Sequence, residues 1–196
     1  MQSDLDLFAI LPEDKIPEKG KILISEPFMP DVFFNRSIVY LTEHTPEGST
    51  GFILNKKLDI TVCEVINGFG KWDAVIGIGG PVALGTLHYL HSLGKIIPDS
   101  VEVGNSIFWG GDIDALKHAI KTGKAATGQI RFFMGYSVWS AGQLDRELDE
   151  NSWVTASAEY DMVMNGYGSD LWKHTLKSLN AKYHVWAGFP KIPNMN

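Results

Sequence analysis

Cysteine is almost absent: Cys63 stands alone, so no internal disulfide can form. Disulfides mark oxidising compartments, and a lone thiol fits a reducing cytosol, which is the expected location. Long apolar runs are missing too. Nothing approaches the roughly 18 residues that a membrane helix needs, and the most apolar stretches are strand-length and interrupted by glycine. Met1-Gln2-Ser3-Asp4 offers no basic region ahead of an apolar one, so no secretory leader is expected. Basic charge is in deficit. Seventeen Lys and Arg against 23 Asp and Glu give a net charge of −6, a sign that repels nucleic acid phosphates and anionic lipid. Neither is expected as a partner. Also lacking are a Walker loop, a Gly-x-Gly-x-x-Gly helix entry, a Gly-x-Ser-x-Gly elbow and His-Glu-x-x-His, which removes the commonest enzymatic signatures.

The remainder is globular in character. A chain of 196 residues buries about 70% of its unfolded surface on folding, enough for one core. Residues 1–19, acidic and lysine-bearing with an apolar patch from Leu5 to Leu11, read as an N-terminal extension that docks loosely or through one short helix. The domain proper, 20–196, opens with strands expected at Lys21–Ser25, Ser37–Glu43 and Thr50–Leu54. Thr61 and Glu64 form a capping box that starts a short helix. Further strands are expected at Ala74–Ile78, Thr86–His91, Ser106–Trp109, Gln129–Tyr136 and Trp153–Ala156. Asp112 should cap a helix ending near Gly123, Ser140 and Gln143 should box the next, and Leu171 to Leu179 should form the last. Short strands and helices in no clean alternation predict a mixed sheet with helices outside it, not a doubly wound parallel one.

Each candidate for chemistry has a structural reading beside it. Gly79-Gly80-Pro81 can turn its amides toward an anion, or is simply a tight turn. His88 and His91, three apart on a strand, face opposite ways and do not make a metal pair. His44 or His91 would serve as a general base only with an orienting partner such as Glu43, Asp112 or Glu147. Arg36 either pairs with Glu43 or binds an anion. Cys63 reads as a small buried hydrophobe, and Tyr136, Trp139 and Trp153 as a core corner. The sequon Asn35-Arg36-Ser37 is accidental in a cytosolic chain.

Arg36-Ser37, Leu41-x-Glu43-His44, Gly51-x-x-Leu54-Asn55, Gly79-Gly80-Pro81-Val82, Leu90-His91 and Gly135-Tyr136-x-x-Trp139-x-x-Gly142-Gln143-Leu144-x-x-Glu147-Leu148 occur in that order. Together they resemble the YqgE/AlgH family of bacterial proteins, from about Gly20 to Leu179. The resemblance implies one cytoplasmic α/β domain, α+β-like, with a mixed, partly barrel-like sheet flanked by helices. It also brings a transcriptional-regulator label but no reaction. Lys56 and Lys57 depart from the Arg and Pro usual there, and Val138 replaces a glycine. The expected function is a regulatory or binding protein acting through an unidentified protein or small-molecule partner at Arg36, Glu43, His44, Asn55, Gly79, Gly80 and His91. No catalytic residue, metal or cofactor is assigned. The alternative is a hydrolase or transferase with His44 or His91 as base and an anion at Gly79-Gly80.

Overall fold

The computed structural model describes residues 16–190, so the patch expected to dock from the N-terminal extension lies outside the described residues. The chain folds as a single mixed α/β domain. Its strands are β1 (Lys21–Ser25), β2 (Ile38–Thr45), β3 (Gly48–Ile53), β4 (Lys57–Thr61), β5 (Val75–Ile78), β6 (Val82–His91), β7 (Val101–Gly104), β8 (Ile107–Trp109), β9 (Ile130–Ser140) and β10 (Trp153–Ser157). The helices are α1 (Val62–Val65), α2 (Ile113–Lys121), α3 (Gln143–Asp149), α4 (Tyr160–Asn165), α5 (Asp170–Ser178) and α6 (His184–Gly188).

Strand β2 shows why the apolar runs are continuous. Side chains alternate between faces with a period of two, and here both faces are covered. Ile38 and Tyr40 enter a core shared with α4, α5 and α6, whereas Val39 and Leu41 enter a second one with Leu144 and Leu148 of α3. A third core packs α2 against β9 through Leu116, Ala119, Ile130 and Phe132.

The sheet runs β10-β1-β2-β3-β9-β6-β8-β7, with β5 joined to β9 in parallel and to β4 antiparallel. It is open, which corrects the partly barrel-like expectation. The cause is β9. Along one edge it pairs with β6, and along the other with β5 over Phe132–Met134 and then with β3 over Ser137–Ser140. The sheet therefore branches instead of closing.

Local signals decide the helix starts. The Asp112 carboxylate accepts the Asp114 and Ala115 amides at 2.8 and 3.1 Å, capping α2 as expected. At α1 the Thr61 amide and hydroxyl both donate to Glu64 Oε2, at 2.7 and 2.6 Å. Those bonds hold the Glu64 carboxyl below its ordinary pKa. At α3 the expected box is half formed. Ser140 N–H does donate to Gln143 Oε1 at 3.0 Å, but Ser140 ends β9 and the cap residue is Gly142, at φ +66°.

Candidate functional site

The seven residues singled out from the sequence do not meet in one cavity. Arg36 and Asn55 do come together at the start of β2. Asn55 Oδ1 accepts the Ile38 amide at 3.0 Å while its Nδ2 donates to Arg36 O at 2.8 Å, so both ends of this buried amide are used. Arg36 Nη2 donates to Phe189 O and Pro190 O at 2.7 and 2.5 Å, and the guanidinium lies 4.9 Å from the Trp172 ring centre. It fastens the C-terminal segment and does not pair with Glu43, which is exposed at the far end of β2. Beside Glu43, His44 Nδ1 meets Ser49 Oγ at 2.8 Å across the β2–β3 hairpin.

The glycine turn is closed by close packing. A Cβ on Gly79 would stand 2.2 Å from Gly135 O, and one on Gly80 would stand 2.4 Å from Tyr136 O. The Gly79 amide is already donated to Met134 O at 2.9 Å, which corrects its reading as an anion cradle. His91 is wholly buried, with Nδ1 accepting the Leu93 amide at 3.1 Å and Nε2 against Gly110 O at 2.9 Å. An imidazole with both nitrogens committed to backbone cannot accept a substrate proton. The expected orienting carboxylates are also occupied: Asp112 caps α2, and Glu147 Oε2 accepts Trp139 and Trp153 Nε1 at 2.8 and 2.7 Å. That convergence on Glu147, completed by Gln143 Nε2 at 2.9 Å, is the physical content of the Trp139 to Leu148 motif. The hydrolase alternative has no geometry behind it.

His91 has a consequence for acid stability. Accepting the Leu93 amide requires Nδ1 unprotonated, so the ring is neutral with its proton on Nε2 toward Gly110 O. Burial pushes the His91 pKa below its ordinary value, and burial does the same to His88, whose Nε2 is buried without a hydrogen-bond partner. The unfolded chain binds these protons near pH ~6.5 and the folded chain only at lower pH. Between those limits the unfolded state holds more protons, so stability is lost as pH falls below about 6.5. The urea midpoint should be level from pH 8 to 7 and lower at pH 5.5. Nitrogen chemical shifts of the His91 ring should report the Nε2–H tautomer.

Among the described residues, cavities open elsewhere, and the three that follow are not lined by any of the seven. One of about 590 Å³ is formed by Gly68 to Trp72 with Ile120 and Lys121. Another, of about 430 Å³, lies beside β10. The third, of about 370 Å³, is built by the loop after β6 with Ser106, Phe108, Lys124 and Gln129. Its floor is preorganised. His91 stacks on Phe108, centroids 5.8 Å apart at 19°, and fixes the loop through the Leu93 amide. Gly94 then lies on the Phe108 ring, where a Cβ would sit 2.3 Å from Cζ. Ser92, Ser106, Lys95 and Lys124 also line this cavity, the last three of them exposed. Among the described residues none of these four side chains has a hydrogen-bond or ion-pair partner. Sequence reasoning reached His91 but missed these groups, because the hairpin between β7 and β8 and the turn after α2 bring them together from distant stretches.

Among the described residues, no three His, Cys, Asp or Glu side chains cluster as metal ligands, and no helix is long and apolar enough to cross a membrane. The geometry defines a mixed α/β domain whose sequence motifs are largely clamps, with a ready-formed cavity behind one of them. The chain belongs to the AlgH-like family, whose profile matches residues 22–184. A UPF0301 protein of Bacteroides thetaiotaomicron is 43% identical over the whole of both chains, and one of Chlorobaculum tepidum 41% identical over 94% of this chain and 98% of that one. The solution structure of the AlgH protein from Pseudomonas aeruginosa superposes with a TM-score of 0.68 at 26% identity, over 88% of this chain and 94% of that one. A crystal structure from Corynebacterium diphtheriae, 23% identical over 96% of this chain and all of its own, shares the fold at a TM-score of 0.75. The family's function is uncharacterised.

Proposed function

We propose that this protein is a binding module for a small organic anion, held in the cavity over Phe108. The observation that carries this reading is the set of donors around that floor. Lys95 and Lys124 bring two positive charges to one cavity in a chain of net charge −6, and Ser92 and Ser106 add two hydroxyls. Every one of these groups can donate to a phosphate or carboxylate. The volume of about 370 Å³ suits a small metabolite. His91 acts here as a positioning residue: it shapes the loop and touches no ligand. Regulation would follow from occupancy of this loop in a reducing cytoplasm, where Cys63, 3.2 Å from Thr61 Oγ1, persists as a thiol.

The test is a titration at low salt with inorganic phosphate, pyrophosphate, mononucleotides and di- and tricarboxylates, followed by calorimetry and thermal shift. One class should bind saturably. Lys95→Ala and Lys124→Ala should each weaken it about tenfold, the loss of one charge-assisted contact. The absence of saturable binding, or equal affinity in both variants and the parent, would remove the proposal.

A further inference from the structure

We infer that the edge of β4 is a self-pairing surface, on which a second copy of this chain docks antiparallel across a two-fold axis through Leu58. Among the described residues β4 pairs with β5 alone, and that ladder is bulged, with Lys57 opposite Gly77 and Thr61 opposite Val75. No residue of β4 is buried. Lys57 and Asp59 are exposed on one face, while Leu58 and Ile60 on the other are half-buried at the rim of the core that packs α2 against β9. A strand in this condition offers its backbone donors and acceptors to any strand that fits it.

The side chains of β4 select the partner. Residues directly opposite in an antiparallel pair share a face, so a two-fold pairing that keeps exposed face with exposed face has to place one residue opposite itself. With Asp59 on the axis, like charges meet. With Ile60 on the axis, Leu58 of one copy would have to meet Val62 of the other, which is buried. With Leu58 on the axis, Lys57 of each copy lies opposite Asp59 of the other, giving two ion pairs on one face and an apolar contact on the other. Lysine on a sheet edge ordinarily keeps strands apart. Here the residue two further along the same strand supplies the carboxylate that neutralises it, so a second copy carries the matching alternation.

The flanks repeat this complementarity. At the start of β4, Lys56 Nζ donates to Val32 O at 3.0 Å, and Val32 is 85% exposed, the most of any large apolar side chain among the described residues. The turn that presents it is fixed by Asp31, whose carboxylate accepts the Phe33 and Phe34 amides at 2.7 and 3.1 Å. At the other end α1 follows directly, and its Val65 is exposed. Antiparallel pairing sets the start of each strand beside the end of the other, so Val32 of each copy is brought toward Val65 of its mate, once on either side of the axis.

The surface is small, so the dimer is weak and concentration-dependent. Sedimentation equilibrium of the full chain from about 10 µM to about 1 mM, the range for a contact of this size, should show monomer and dimer in exchange. Asp59→Lys sets lysine opposite lysine and Lys57→Asp sets aspartate opposite aspartate, so each should weaken dimerisation about tenfold. The double variant exchanges the two charges, rebuilds both ion pairs and should recover the affinity of the parent. Both positions are exposed, so the monomer keeps its fold, which circular dichroism checks. A chain that stays monomeric throughout, a dimer indifferent to the single changes, or one that the double variant fails to restore would overturn the inference. No anion enters this experiment and neither residue lines the Phe108 cavity, so the two proposals fail separately.

Discussion

Arg131→Met should lose about 3–5 kcal/mol of stability, the range for removing one side of a buried charged contact. Arg131 is 1% exposed, yet among the described residues no carboxylate pairs with it. Backbone takes up both terminal nitrogens, while Nε is buried without a hydrogen-bond partner: Nη1 donates to Met162 O at 3.4 Å and to Val163 O, and Nη2 donates to Leu54 O and to Gly166 O at 2.6 Å. Three of these carbonyls belong to the last turn of α4 and the residue after it, where the helix dipole presents negative charge. The plane of the group is held 4.0 Å from the Tyr167 centroid and 5.2 Å from that of Phe133. Burial pulls its pKa down to about 10, which still leaves it charged at neutral pH. Exchanging a whole buried ion pair for apolar groups can be neutral, because both partners leave together. Here the partners are main-chain carbonyls that no substitution removes, so their desolvation goes uncompensated. Arg131→Lys should recover only part of the loss, since an ammonium cannot span β3's end and α4 or stack between two rings. Urea unfolding monitored by circular dichroism decides it, and a Met variant within 1 kcal/mol of the parent would refute the clamp.

How far these features were legible in the sequence follows from their range. Apolar, β-branched runs between turn residues located β1, β2, β3, β5, β6, β8, β9 and β10 within a few residues, because a strand covered on both faces reads as a continuous apolar stretch of strand length. Capping chemistry placed α1 and α2, since a cap is read within four residues. Strands β4 and β7 escaped because Lys57-Leu58-Asp59 and Val101-Glu102-Val103 alternate too briefly to rise above loop composition. The motifs were legible as positions and misleading as chemistry. Asn55, His91 and Glu147 bear polar groups that suit catalysis, but each satisfies backbone or indole donors and acceptors on other elements of the fold. Asn55 to Ile38 and Glu147 to Trp139 cannot be seen without the fold. Arg131 did leave a signal that was passed over: one cation inside the apolar run Ile130-Arg131-Phe132-Phe133 has to be buried with partners. Lys56 likewise explains its departure from the family pattern, donating to Val32 O and Phe33 O at 3.0 and 2.6 Å to hold the turn before β2.

Gly79→Ala should be nearly as damaging, with an expected loss of about 3–5 kcal/mol, and the reason separates turn chemistry from anion binding. Overpacking alone costs about 1–3 kcal/mol. At this position the obstacle is main chain, because the new methyl would meet Gly135 O at 2.2 Å and Phe52 Cδ1 at 2.8 Å. Relief requires β5 to move off β9, and the bonds at stake are several. Gly79 donates to Met134 O at 2.9 Å, while its carbonyl accepts the Ile53 amide at 2.9 Å and Ser137 Oγ at 3.0 Å. Each is worth about 1 kcal/mol, and together they join β3, β5 and β9 at the point where the sheet branches. Gly70→Ala supplies the contrast. Gly70, unlike Gly79, has positive φ, at +62°, but a Cβ there meets nothing within 4 Å, so only the backbone preference of about 1 kcal/mol is lost. If Gly79→Ala and Gly70→Ala shift the urea midpoint equally, close packing at the branch is not what requires glycine. If Gly79→Ala alone collapses stability while anion affinity at the Phe108 cavity is retained in whatever fraction remains folded, the Gly79-Gly80 motif belongs to the sheet and the ligand belongs elsewhere.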